Sequence, residues 1–215
     1  MESTEQSSDE SRSEAGLARR RLLDVAEALF MERGYSAVSL RDIADAFGIK
    51  QASLYYHFPG GKEELYVAVA QRAFARHHAG ILEALEGEEE IGAKLTAVAN
   101  WFTTQPRMCL MGMMHADLPA LHAEANEAVT AAAAQGLFQP IAHAFAGAQD
   151  RSEVRPVSPF LLAGAFLALL DGATISQDLA GSGGREQVIH GLIDLLLHGA
   201  SAPSTEAPAS PTDAA

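Results

Sequence analysis

Residues 40–57 constrain the fold more than any other part of the chain. Leu40, Ile43, Ala44 and Phe47 recur at i, i+3, i+4 and i+7, the apolar face of a helix about two turns long. Ser39, just before it, and Asp42, in its first turn, have the spacing of an N-capping pair. Gly48-Ile49 follows, and Gly48 supplies a backbone conformation that most residues resist. A second short helix is predicted over 50–57, and Phe58-Pro59-Gly60-Gly61 stops it. Two short helices joined by a tight, glycine-containing turn make a helix-turn-helix.

The flanking sequence is helical in period nearly throughout. A first helix is predicted over 17–33, with Leu22, Val25, Ala26, Leu29 and Phe30 on one face and Gly34 at its end. A fourth runs from Lys62 to near Leu85 and carries Glu63 and Glu64 in its first turn, where the helix dipole favours acids. His77-His78 is read as part of its solvated face. Further helices are predicted over 91–104, 107–115, 119–147, 157–180 and 185–198. Pro140 is expected to kink or split the 119–147 segment. No convincing alternating strand is found. The fold class is therefore all-α, with the helix-turn-helix in an N-terminal head and a larger helical domain after it. The expected boundaries are a disordered Ser/Glu-rich tail over 1–15, the head over 16–62, the helical domain over 63–200, and a disordered Pro/Ala/Ser tail over 201–215.

Charge narrows the partners. The net charge of −13 argues against nucleic acid, but its distribution does not. Residues 17–62 hold seven Lys/Arg against five Asp/Glu, the only positive stretch. A local basic surface is what phosphate binding requires. No run reaches the ~18 apolar residues of a membrane helix, and the polar N-terminus does not read as a signal peptide. A cytoplasmic protein is expected. The single cysteine, Cys109, fits a reducing compartment.

The second helix of the motif reads KQASLYYHF. Ala52 and Ser53 are small enough to let it lie deep in a major groove, and Gln51 can pair bidentately with adenine. Lys50, Tyr55, Tyr56 and His57 can meet phosphates or bases, and Lys62 can meet phosphate. Tyr55 is divided between packing and phosphate contact, and Arg41 between solvent and an ion pair with Asp45. The stretch Gly34 to Leu65 resembles the DNA-binding domain of TetR/AcrR regulators. The matching elements are Gly34-Tyr35, Arg41-Asp42-Ile43-Ala44, Gly48-Ile49, Leu54-Tyr55-Tyr56-His57-Phe58 and Lys62-Glu63-Glu64-Leu65. The resemblance implies operator contacts by Ser39, Arg41, Gln51, Ser53, Tyr55, Tyr56, His57 and Lys62. It also implies a homodimer paired through its last two helices. One departure stands out: Gly60-Gly61 occupies the place where relatives carry Ser or Thr before the lysine.

Four of the six methionines lie between Met108 and Met114. Methionine suits an adaptable apolar pocket. Trp101, Met108, Met111, Met114, His115 and Phe138 are the candidate ligand residues, with His115 or Asp117 as the polar handle. Soft-metal binding by Met, Cys and His lacks a compelling spacing, so no metal or cofactor is expected. Ser/His/Asp, His/Glu and phosphate-loop motifs are absent, which excludes the common enzyme classes. The expectation is a regulator, a repressor released by an apolar inducer; an activator, or a redox- or metal-responsive regulator through Cys109, is the alternative.

Overall fold

The computed structural model describes residues 2–105, 110–180 and 184–199, the side chains of 2–15, 111, 174–180 and 185 excepted. Among these residues every regular element is a helix. α1 (Glu2–Ala37), α2 (Leu40–Phe47) and α3 (Gln51–His57) form the head. α4 (Gly61–Leu85) joins it to the core and is roughly 37 Å long at 1.5 Å per residue. The core adds α5 (Ile91–Thr103), the short α6 (Leu110–Gly112), α7 (Ala123–Ala133), α8 (Gln139–Asp150), α9 (Pro159–Ala180) and α10 (Arg185–His198). Cys109, Met108 and residues 201–215 lie outside the described residues.

α1 starts at Glu2, earlier than the expected 17, so the polar stretch read as a tail continues the helix. Glu, Ser and Arg are compatible with helix even where no apolar face demands it. Leu22, Leu23, Ala26 and Phe30 are buried, and Val25 and Leu29 are half-buried. Gly34 interrupts the helix with φ 77° and ψ 165°.

The 119–147 segment is split, as Pro140 foretold, but through a particular device. A π-helical turn, Ala134–Phe138, separates α7 from α8, and Pro140 occupies the first turn of α8, where its missing N–H is harmless. Gly136 lies in that turn against α4; a Cβ there would stand 2.6 Å from the Phe74 carbonyl oxygen. The glycine is what allows the close approach. α6 likewise runs into a π-helical turn, Met113–Asp117, and a 3-10 turn, Leu118–Ala120, that carries Pro119. This irregular segment packs on α1.

One apolar core runs through head and body, from Leu22, Leu54 and Phe58 to Phe74, Ile81, Leu95, Phe145 and Phe166. α4 supplies its spine: Leu65, Tyr66, Val69, Phe74, His77 and Ile81 lie on its buried face. His77 is therefore not on a solvated face. It sits at 1 % exposure, stacked on Phe102 at 5.2 Å and edge-on to Trp101 at 5.2 Å. Its spacing from Phe74 and Ile81, at i+3 and i+7, placed it on the apolar stripe. His78 is exposed as expected.

Candidate nucleic-acid interface

The helix-turn-helix is fixed by local chemistry. The backbone N–H of Asp42 donates to Ser39 Oγ at 3.1 Å, and the Ser39 N–H donates to Asp42 Oδ2 at 2.8 Å. The hydrogen bonds from Ser39, side chain first and backbone second, hold the Asp42 carboxyl below its ordinary pKa. This reciprocal capping box satisfies two donors that the helix start would leave orphaned. At the other end Gly48 adopts φ 83°, ψ 31°, and its N–H closes on the Ala44 carbonyl at 2.9 Å. That left-handed conformation reverses the chain and aims α3 away from α2.

α3 buries a single residue, Leu54. The rest of it, the half-buried His57 apart, is presented outward. Lys50, Gln51, Ala52, Ser53 and Tyr55 are exposed, and Tyr56 stands out at 85 % exposure. His57 is half-buried, with Tyr56 edge-on to its ring at 5.3 Å. Phe58 closes the helix from inside the core, and the Arg19 guanidinium lies 4.8 Å over its ring. Ser39 and Arg41 on α2 are exposed beside this face, Arg41 in a 3.6 Å ion pair with Asp45. Both readings of Arg41 thus hold together, because an exposed i,i+4 pair is worth only ~0.3–0.5 kcal/mol. The Gly60-Gly61 departure is compensated: Glu64 Oε2 reaches back to accept from the Gly60 N–H at 2.7 Å.

Lys62 departs from expectation. It is half-buried, with Nζ 4.0 Å above the Tyr35 ring. Burial lowers its pKa, and Asp117 opposes that shift. Its charge is tied to the seam between head and core rather than free in solvent.

That seam is built from residues the motif does not reveal. The Gly34 kink turns the Tyr35 N–H toward the core, where Asp117 Oδ1 accepts it at 2.8 Å. Asp117 Oδ2 accepts from the Tyr66 hydroxyl at 3.0 Å. Phe30, Tyr35 and Tyr66 pack as an aromatic cluster, with Tyr66 edge-on to Phe30 at 5.1 Å and to Tyr35 at 4.9 Å. Burial, reinforced by Asp117, raises the Tyr66 pKa, so its hydroxyl stays a donor. A second tie joins Glu63 to His122: Oε1 accepts the His122 N–H at 2.6 Å, and Oε2 lies 2.9 Å from Nδ1. A third is ionic. Glu27 of α1, itself buried, takes Arg72 at 2.5 Å and Arg76 at 2.7 Å from α4. Burial would raise the Glu27 pKa, but the hydrogen bonds and charges of Arg76 and Arg72 hold it below the ordinary value.

Between these ties lies a cavity of about 260 Å³. α1 contributes Phe30 and Met31, α4 contributes Val69, Ala73 and Phe74, and the α6 segment contributes Met113; Glu27 and Asp117 stand on its wall. The expected ligand residues are placed elsewhere. Trp101 packs on His77 and over Gly80, Phe138 packs near Gly164, Met114 is 47 % exposed and His115 is exposed. Met108 lies outside the described residues, as does the Met111 side chain. Of the named methionine-rich run, Met113 lines the cavity, and of the two expected polar handles Asp117 stands on its wall and His115 does not. Tertiary placement decided this: the π-helical turn rotates Met114 and His115 outward. Among the described residues no group of three or more His, Cys, Asp or Glu is placed to hold a metal ion, and no helix is long and apolar enough to cross a membrane.

Comparison with known proteins meets this geometry at the head. Residues 22–69 match the family of bacterial regulatory proteins, tetR family. The chain is 36 % identical over 81 residues to the HTH-type transcriptional repressor KstR2 of Rhodococcus jostii, covering 36 % of this chain and 40 % of that protein. It is 37 % identical over 84 residues to the HTH-type transcriptional activator FasR of Mycolicibacterium smegmatis, covering 39 % of this chain and 38 % of that protein. The alignments thus span about 40 % of the curated relatives' length. In fold the likeness is longer. The crystal structure of AibR in complex with isovaleryl coenzyme A and operator DNA superposes with a TM-score of 0.68 at 23 % identity, covering 84 % of this chain and 98 % of that one.

Proposed function

We propose that the chain, whose residues 22–69 match the TetR family of bacterial regulatory proteins, is a regulator of that family and acts in the cytoplasm as a homodimeric, ligand-responsive transcriptional repressor that reads a palindromic operator. The observation that carries this reading is the face of α3. A seven-residue helix anchored by one buried leucine, and otherwise presenting Gln51, Ser53, Tyr55 and Tyr56 to solvent, has the shape of a major-groove reader. Tyr56 is too exposed to serve the core, and Lys50, Arg41 and Ser39 flank it as phosphate-seeking groups.

Dimerisation is supported by α9 and α10. Ile189 and Ile193 of α10 are buried within the chain, whereas Phe160, Leu161 and Leu195 are 52 %, 64 % and 44 % exposed. Leu161, Ala165, Ala168 and Gly172 follow one face of α9, where small residues permit close helix approach. A two-fold axis there would set two copies of α3 about 34 Å apart, one turn of DNA. Release by a ligand requires only that the ligand bind the non-operator conformation better. The relatives named above include an activator as well as a repressor, and activation is the second reading.

The test is binding of the purified protein to DNA from its own upstream region, followed by fluorescence anisotropy across a salt series. Salt-sensitive, saturable binding to a palindrome is expected. Tyr56→Ala should weaken binding several-fold across sequences, in keeping with loss of a contact worth ~1 kcal/mol. No salt-sensitive binding to any palindrome, at any dimer concentration, would sink the reading.

A further inference from the structure

We propose that the cavity at the seam of head and core is the effector site, and that it takes a compact, uncharged or cationic apolar molecule whose hydrogen-bond donor is anchored on Asp117. The proposal rests on the reading of the chain as a ligand-responsive regulator and assigns that response a place.

Size and lining come first. At about 260 Å³ the cavity exceeds the ~150 Å³ apolar void that admits benzene. Its walls are Phe30, Met31, Val69, Ala73, Phe74 and Met113, and the two methionines can reshape around different apolar bodies. Polarity then selects the ligand. Both oxygens of Glu27 are engaged by arginines. Asp117 accepts one hydrogen bond on each oxygen, and an ionised carboxylate offers about four acceptor sites, so it can take a ligand donor. With Glu27 taken up by the arginines, Asp117 is the carboxylate left to face the cavity, and it favours a donor over an anion there.

Position supplies the consequence. The residues that enclose the cavity come from α1, α4 and the α6 segment, the three pieces whose mutual placement orients the head. The carboxylate that would hold the ligand also holds the Tyr35 N–H, and the Tyr35 ring carries Lys62. Tyr35 leads directly to the start of α2, where its carbonyl accepts the Val38 N–H at 3.4 Å. A ligand that draws Asp117 inward or spreads α1 from α6 therefore displaces the entry to the helix-turn-helix. Occupancy and operator binding are coupled, and by linkage each weakens the other equally.

The experiment uses the full-length protein and two probes of one shape, naphthylmethanol and naphthoate. Calorimetry measures binding and anisotropy measures operator affinity. The alcohol is expected to bind and to weaken operator binding by about ten-fold or more, and the carboxylate to bind far more weakly. Ala73→Phe, which fills the cavity, should abolish alcohol binding; Met113→Phe does the same from the opposite wall should the first variant fold poorly. Asp117→Asn should narrow the gap between alcohol and carboxylate, a readout that mere loss of packing would not produce. The proposal is overturned if the alcohol does not bind protein that does bind operator. It is also overturned if the alcohol binds folded Ala73→Phe and Met113→Phe unchanged, or leaves operator affinity unaltered. Absence of operator binding in every sample would instead remove the regulator reading and the effector role with it, while calorimetry would still decide whether the cavity is a binding site.

Discussion

Acid should loosen this fold at a pH where its carboxylates are still ionised, and His77 is the reason. The ring is buried between Phe102 and Trp101, and its Nδ1 has no hydrogen-bond partner. Burial, with the nearby Arg76 charge and against the opposing Glu27, pushes its pKa down from 6.5 to about 4. A histidine whose folded pKa is depressed binds its proton more readily when unfolded. Its contribution is thus fully present above 6.5 and is lost progressively as the pH falls toward 4. At 1.36 kcal/mol per unit, the loss is roughly 2 kcal/mol by pH ~5 and about 3 kcal/mol once both states are protonated. Glu27, Asp42, Glu63 and Glu153 are held below ordinary carboxyl values that are themselves 4.5 or lower, so their losses come at lower pH. The window between about 6.5 and 5 separates the His77 contribution from those of these carboxylates. Urea titrations at fixed protein concentration through that window should show the stability falling in the native chain and nearly flat in His77→Phe. Phenylalanine keeps the stack on Phe102 without an ionisable nitrogen. An unchanged slope in the variant would refute the assignment.

Other perturbations probe the remaining contacts. Gly80→Ala would place a Cβ 2.0 Å from Trp101 Cε2, so it should destabilise by ~1–3 kcal/mol in urea unfolding, and Trp101→Leu should recover part of that loss. Glu27→Ala removes the carboxylate shared by Arg72 and Arg76, whose Nε atoms already lack partners. Because both arginines are partly exposed, the cost should be nearer 2 kcal/mol than the ~3–5 of a fully buried pair, read as a lower urea midpoint. Leu161→Glu should convert the proposed dimer to monomer in analytical ultracentrifugation and weaken operator binding in parallel; a stable dimer in the variant would count against an interface on α9. Gln51→Ala should relax preference at one base pair per half-site, by ~1–3 kcal/mol in competition binding.

How much of this was legible depends on the range of each interaction. The head was readable because its determinants are local. Ser39 caps a donor three residues away, Gly48 turns a single backbone unit, and Leu54 is anchored by helical period. α2 was predicted at its observed bounds for that reason. Pro140 also announced its break, since a missing N–H acts on its own helix. The candidate ligand residues were named from composition alone. A methionine-rich run states that a segment is adaptable, but not which side chains turn inward, and the π-helical turn at Met113–Asp117 decided that. His77 was a misreading rather than an absent signal, since its spacing from Phe74 and Ile81 already placed it inside.

The seam was not legible because its partners are far apart in sequence: Asp117 meets Tyr35 across 82 residues and Tyr66 across 51. The charge distribution that argued against nucleic acid has a local counterpart there. The head carries the positive excess and the remainder is acidic, and at the boundary individual acids are used against the head's own groups. Asp117 holds the Tyr35 N–H and opposes the pKa depression of Lys62, while Glu63, at the start of α4, holds the His122 backbone. These are few, polar and partly exposed contacts, unlike the apolar packing that fixes Leu54 or Phe58. Contacts of that kind contribute only ~1–3 kcal/mol each, the same range as a typical coupling between sites. The apolar core that runs through head and body keeps the two joined, and these polar contacts, added to it at the seam, are the ones that the proposed ligand would have to shift.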